Sequence, residues 1–301
     1  MQQRQLGLDG PKVSAIGFGA WGVGGGMGAV DEQTGIATVR AAIDSGITLI
    51  DTARGYYTSE AVVGKALQDG YRQRCFLATK VHADYSRSGI ITSLETSLKT
   101  LGVEDVDLFQ LHHYSPEYPE ESIETLVDLR QQGKCRYFGV SNFDAEQMRT
   151  ALRVARPQSN QIVYNLFDRD IEKQEIEQCQ EAGIGILGHS TLAKGLLTGR
   201  YAPRHRFAAD DERATQKPRF KGEQFVRYLT VAGELQKLAS DMGISLVQLA
   251  IAWVLRLPAI SSALVGAKAP GQIEEQIGAF EVAIGNEELA RVDAILRQAA
   301  A

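Results

Sequence analysis

The chain has 301 residues, 44% hydrophobic and 23% charged, enough to bury a large core beneath an ordinary polar surface. Its net charge of −5 argues against an electrostatic nucleic-acid binder, and no apolar run approaches the roughly 20 residues of a membrane span. Cys75, Cys135 and Cys179 have no metal-type spacing, Met1 to Gln5 has no apolar signal-peptide core, and the expectation is a cytoplasmic protein with free thiols and no metal.

Taken in chain order, Leu6-Gly7 and Val13-Ser14 flank the turn-rich Leu8 to Lys12, which predicts a short N-terminal β-hairpin. Ala15 to Gly19 reads as a first strand. Asp31 to Asp44 has an amphipathic helical period, ended by Ser45-Gly46. Further strands are expected at 47–50, 75–79, 106–111, 135–140, 161–163, 185–187 and 262–265, with helical segments between them. Eight strand–helix alternations predict one (β/α)8 TIM barrel domain over residues 1–301, with an open doubly wound sheet as the alternative. The longest unpatterned stretch, Thr198 to Glu223, follows the seventh strand. In a barrel it borders the site face, as a lid or as a surface insertion.

Gly17-Phe18-Gly19-Ala20-Trp21-Gly22 fits G-x-G-x-x-G after a strand. In a dinucleotide fold those glycines open directly into a helix. Here glycines continue through Gly24, Gly25, Gly26 and Gly28, and helical pattern begins only near Asp31, so the run reads as a loop.

Four polar residues sit at or just past strand-like runs: Asp51, Tyr56 in the same loop, Lys80 and His112. Each alone has an ordinary structural explanation, as a cap, a packed aromatic, a solvated strand end or a hydrogen-bonded histidine. In a closed barrel they converge on one face, and together they fit a proton relay. A tyrosine with a pKa of about 10 is a poor donor to regenerate near neutrality, and a neighbouring ammonium is expected to lower it. An aspartate would hold the lysine charged. A histidine, His112 or the adjacent His113, would polarise a carbonyl.

The run Asp51-Thr52-Ala53-Arg54-Gly55-Tyr56-Tyr57-Thr58-Ser59-Glu60, with Ala78-Thr79-Lys80 and Asp107-Leu108-Phe109-Gln110-Leu111-His112, resembles the signature of the aldo-keto reductases. The resemblance implies a (β/α)8 barrel, NADP(H), and Asp51, Tyr56, Lys80 and His112 as the catalytic tetrad. Gly139-Val140-Ser141-Asn142-Phe143 and Asn160-Gln161 are similar to the family's nicotinamide-carboxamide segments, which implies that Ser141, Asn142 and Gln161 hold that group. Gly19, Ala20, Trp21 and Asp51 are implied on the same side. After the seventh strand the family commonly reads Tyr-Ser-Pro-Leu, and the aromatic ring stacks on the nicotinamide. Here His189 replaces that ring beside Ser190, Thr191 replaces the proline, and Leu192 and Gly195 follow. Gly266, Lys268, Gln272, Glu275 and Gln276 resemble the adenosine-phosphate motif. Lys268 stands where the family has arginine, and Gln276 where it has asparagine. Trp21, Tyr57, His113 and Tyr114 are expected to line the substrate pocket.

The implied activity is NADPH-dependent reduction of an aldehyde or ketone, with Tyr56 as proton donor. The alternatives are a nicotinamide-binding regulatory subunit resembling potassium-channel β subunits, or a sugar dehydrogenase or epimerase. The expected partner is a small carbonyl or sugar, with neither nucleic acid nor membrane, and the expected state is a monomer or weak homo-oligomer.

Overall fold

Side chains alternate between the two faces of a strand, and that alternation divides this molecule into two apolar cores. The computed structural model describes residues 1–215 and 218–300. A short antiparallel hairpin, β1 (Gln3–Gln5) and β2 (Lys12–Ser14), precedes eight parallel strands. These are β3 (Ile16–Gly19), β4 (Leu49–Asp51), β5 (Phe76–Lys80), β6 (Val106–Leu111), β7 (Cys135–Ser141), β8 (Ser159–Val163), β9 (Gly185–His189) and β10 (Ile260–Val265). Neighbours in sequence pair in order, and β10 closes on β3, so the sheet is a (β/α)8 barrel and not an open doubly wound sheet.

The helices run over the outside: α1 (Glu32–Asp44), α2 (Ser59–Ala66), α3 (Arg87–Leu101), α4 (Glu121–Gln131), α5 (Ala145–Val154) and α6 (Glu175–Glu181). Beyond β9 come α7 (Glu212–Thr215), α8 (Gly222–Asp241), α9 (Leu246–Leu255), α10 (Gly271–Ile277) and α11 (Asn286–Ala300). Their starts are written locally. Asp31 accepts from the Thr34 amide to cap α1, while Asp144 with Gln147 and Ser245 with Gln248 form capping boxes on α5 and α9. Each such cap is worth about 1 kcal/mol.

Outward positions of the strands, among them Ile16, Phe18, Ile50, Leu77, Phe109 and Ile186, join the helices in the larger core. Inward positions form a second cluster: Leu49, Phe76, Ala78, Leu108, Leu187 and Leu264 pack with Leu6 and Val13 from the hairpin region. The hairpin thus plugs the N-terminal mouth. Arg4 fastens it by donating to the carbonyls of Leu255, Leu257 and Ile260. Leu6, just past the end of β1, packs into this inner cluster.

Two residues further along the inward face, the character changes. Leu49 leads to Asp51, Ala78 to Lys80, Leu108 to Gln110 and Leu187 to His189. Apolar inner layers fill the barrel and a polar layer tops it at the C-terminal end. The strand expected at 47–50 begins later, at Leu49, because the Ile47 amide donates to Ala42 O and closes the end of α1. Asp51 and Lys80, expected just past their strands, are the last residues of β4 and β5. No single helix among the described residues is long and apolar enough to cross a membrane.

Candidate active site

The polar top layer floors a cleft of about 990 Å³ at the C-terminal face of the barrel. Lys80 lies beneath it, fully buried, and its Nζ spends its donors on Asp51 Oδ2 at 2.7 Å, Thr52 O at 2.9 Å and Tyr56 Oη at 3.4 Å. Asp51 Oδ1 accepts from Gln161 Nε2 at 2.8 Å and from Gln110 Nε2 at 3.5 Å. The Tyr56 ring stands edge-on to His112, with centroids 5.4 Å apart, and His112 stacks flat on His113 at 4.9 Å. The four residues singled out from strand ends are thus one contiguous group.

The loop carrying Tyr56 is held from below by the Ser59-Glu60 pair that follows it. Ser59 Oγ donates to Ala20 O and is 2.8 Å from Thr52 Oγ1. Glu60, buried, accepts from Thr79 and Arg54. The glycines after β3 are also explained. A Cβ on Gly24 would strike Tyr56 O and Ser59, and one on Gly26 would strike the Trp21 indole. They are loop glycines that admit close packing, and α1 begins only at Glu32.

The electrostatics depart from expectation at Tyr56. Burial pushes its hydroxyl pKa up by more than Lys80 pulls it down, so the net shift is upward, not the expected lowering. For Lys80, burial alone would depress the pKa. The Asp51 carboxylate and Tyr56 outweigh it, and the ammonium is kept charged. Burial, helped by Lys80 and the neighbouring histidines, drives His112 down to about 2, so its ring is neutral.

One wall of the cleft comes from β7, β8 and β9. Ser141 Oγ donates to Gln161 O, and Asn142 Nδ2 donates to His112 O at 3.1 Å and Ser141 Oγ at 3.0 Å. His189 Nε2 is 3.0 Å from Asn142 Oδ1, and its Nδ1 is 3.0 Å from Ser190 Oγ. The opposite end is built by β10 and α10. The Lys268 amide donates to Gln272 Oε1, Gln276 Nε2 donates to Gly266 O, and Glu275 lies 3.6 Å from Arg200. Gly19, Trp21, Leu192 and Gly195 also line the cleft.

The stretch 198–223, expected to border the site face as a lid or a surface insertion, lines this cleft. The segment after β9 crosses its mouth and meets the glycine-rich loop. Asp211 bridges to Met27, Ala29 donates to Asp210, and Lys268 Nζ donates to Met27 O at 2.7 Å. A buried ion pair, Asp211 with Arg213, stiffens the strap, and Arg213 reaches Lys194 O and Tyr201 Oη. Residues 216 and 217 of the stretch 198–223 lie outside the described residues, as does residue 301. Gln110 was overlooked, although it sits inward by period 2 just before His112.

Three expected residues do not themselves line the cleft. Ala20 is fully buried behind the wall. Tyr57 is 62% exposed and donates to Glu212, which does line the cleft. Tyr114 packs edge-on against Phe143. His113 does line the cleft. Among the described residues no group of three or more His, Cys, Asp or Glu side chains is arranged to hold a metal.

The cleft fits an extended nucleotide cofactor. Its volume is at the upper end of the roughly 300–1,000 Å³ usual for small-molecule sites. Gly19, Gly22 and Gly266 leave backbone walls free of side chains. Gln276 Oε1 is buried there without a partner among the described residues. Comparison with known proteins agrees. The aldo/keto reductase family model matches residues 15–297. Aldo-keto reductase YhdN of Bacillus subtilis (strain 168) is 40% identical over 289 residues, 91% of this chain and 87% of that protein. The NADH-specific methylglyoxal reductase of Escherichia coli (strain K12) is 30% identical over 310 residues, 94% of each chain. The structure of glycerol dehydrogenase AKR11B4 from Gluconobacter oxydans superposes with a TM-score of 0.87 at 35% identity, covering 98% of this chain and 95% of that one.

Proposed function

Because this chain belongs to the aldo/keto reductase family, an oxidoreductase family acting on carbonyl and alcohol groups with nicotinamide cofactors, we propose that it is an NADPH-dependent reductase of a small aldehyde or ketone. The observation that carries this is the Tyr56 hydroxyl at the floor of the cleft, 3.4 Å from a buried lysine that Asp51 holds charged.

When bound, the reduced nicotinamide supplies the hydride. Ser141, Asn142 and Gln161 would hold its carboxamide end, and Gly266, Gln272 and Gln276 its adenosine end. The protein supplies the proton. With its pKa raised, Tyr56 stays protonated at neutral pH, a loaded general acid. As negative charge grows on the substrate oxygen, the Tyr56 O–H proton passes to it. The phenolate left behind is stabilised by Lys80 and takes a proton back from solvent. His112, neutral, orients the carbonyl as a hydrogen-bond donor. General acid catalysis of this kind contributes roughly 10²–10⁴-fold.

Lys268, with Arg200 beside Glu275, supports NADP(H) over NAD(H). His112, His113 and Trp21 around the site favour a small polar carbonyl or sugar, in keeping with the methylglyoxal and glycerol named for two relatives. The chain would act as one barrel domain, a monomer or weak homo-oligomer in the cytoplasm. A panel of carbonyls including methylglyoxal and dihydroxyacetone, followed by NADPH and NADH consumption, with glycerol oxidation as the reverse, tests the proposal. Turnover of at least one carbonyl, faster with NADPH, is expected. Dinucleotide binding without turnover in either direction would favour the regulatory alternative.

A further inference from the structure

We propose that His189 is a positioning residue that fixes the Asn142 carboxamide by hydrogen bonding, and not a ring stacked on the cofactor; this rests on the assignment of the cleft to a nicotinamide cofactor. The chemistry of the partners settles the direction of each bond. His112 O can only accept, so the Asn142 atom 3.1 Å from it is the amide nitrogen. The other amide atom is then Oδ1, which also can only accept. His189 Nε2, 3.0 Å away, must therefore carry its hydrogen. In a neutral ring Nδ1 is then bare, and it accepts the Ser190 hydroxyl at 3.0 Å. The ring is neutral at working pH, since burial, with Lys80 and Lys194, lowers its pKa to about 3. Both nitrogens are thereby committed, and the tautomer is fixed.

The backbone shows that this bridge is built. Asn142 and Ser190 both have left-handed conformations, with φ of 58° and 57°, at the ends of β7 and β9. Asparagine tolerates that region and serine less so. Strand β8 lies between those two ends, and the imidazole spans the gap. Asn165 Nδ2 holds Ser190 O at 3.0 Å from behind. The far end of the relay is His112, whose carbonyl Asn142 clamps. His189 therefore acts at two places through one amide: the cofactor-holding Asn142 and the catalytic His112. Phenylalanine could offer ring area but neither bond, whereas glutamine could offer an N–H in place of Nε2–H.

The experiment compares His189→Phe with His189→Gln, reading reduced-cofactor affinity by nicotinamide fluorescence and kcat with a substrate found by the panel. Loss of an ordinary hydrogen bond predicts about 3- to 10-fold weaker NADPH binding for His189→Phe, with kcat also lowered, and at most about 3-fold for His189→Gln. In an Asn142→Ala background, His189→Phe should add no further loss. Binding of 2′,5′-ADP, which lacks the nicotinamide, should be the same in all. Stacking predicts the reverse order, with His189→Phe at least as tight as the unaltered protein, and that order would overturn the proposal. If the unaltered protein bound neither dinucleotide, the cofactor assignment would fail, and the proposal with it. Imidazole ¹⁵N spectra of the unaltered protein give a second reading that needs no stable Phe variant. Protonated Nε2 and bare Nδ1 are expected at pH 7, and the opposite tautomer would refute the relay.

Discussion

Replacing Lys80 by methionine separates what this lysine does for the fold from what it does for the reaction. Methionine fills similar volume but strands Asp51, which is 2% exposed and keeps only amide donors from Gln161 and Gln110. Breaking a buried ion pair from one side costs about 3–5 kcal/mol. At about 2.1 cal/mol/K of unfolding entropy per residue, that lowers Tm by about 5–8 °C for a chain of this length. For the reaction, a unit charge 3.4 Å from Tyr56 Oη is worth about 5 kcal/mol at an effective dielectric near 20. Phenolate would lose that support, and kcat should fall about 10²–10⁴-fold. The double variant Asp51→Asn/Lys80→Met removes the stranded charge. Its melting temperature should return towards the unaltered value, while activity stays lost. Calorimetry at pH 8 beside steady-state kinetics reads both effects. A Lys80→Met protein with kcat within tenfold of normal, or a double variant no more stable than the single at pH 8, would refute this reasoning.

Two further outcomes are expected. Lys268→Ala should raise KM for NADPH well above any change for NADH, with kcat less affected. It also frees Met27 O from its 2.7 Å bond, so equal shifts for both cofactors would mean the lysine serves the strap and not the phosphate. His112 and His189 stay neutral in the fold down to about pH 2 and 3, while an unfolded histidine protonates near 6.5. Below about pH 6.5 the unfolded chain binds more protons, so stability must fall as pH falls. Each ring can remove up to about 1.4 kcal/mol per pH unit; both face the cleft water, and together they should cost about 2 kcal/mol by pH 5. Melting curves of His189→Gln should show a shallower acid slope than the unaltered protein, and identical slopes would count against a neutral buried His189.

The barrel and the polar floor of its cleft were legible because both follow from period-2 strands. Leu49 to Asp51, Ala78 to Lys80 and Leu108 to His112 carry the switch from apolar filling to polar top within a few residues of one run. The start of α1 at Asp31 was legible from an equally local pattern. What escaped depends on residues far apart in sequence. The closure of the cleft joins Met27 to Asp211 and Ala29 to Asp210, partners more than 180 positions apart with no periodicity to announce them. The substitution at His189 was visible, but its bond to Asn142 was not, since it joins the end of β9 to the end of β7. Tyr57 looked like a pocket residue from its neighbour. Its ring is exposed and bonds to Glu212, a cleft residue 155 positions away. The sign of the Tyr56 shift was missed because the attraction of Lys80 could be read from spacing, whereas the depth of burial could not.

The central claim is that Tyr56 donates the proton, and Tyr56→Phe tests it most directly because it removes one oxygen and keeps the ring against His112. The measurement is kcat for a turned-over carbonyl together with NADPH affinity, with Tyr57→Phe as the adjacent control. The account predicts a fall in kcat of at least about 10²-fold for Tyr56→Phe, nearly unchanged cofactor affinity, and at most a moderate change in KM for Tyr57→Phe. Near-normal kcat in Tyr56→Phe would contradict it.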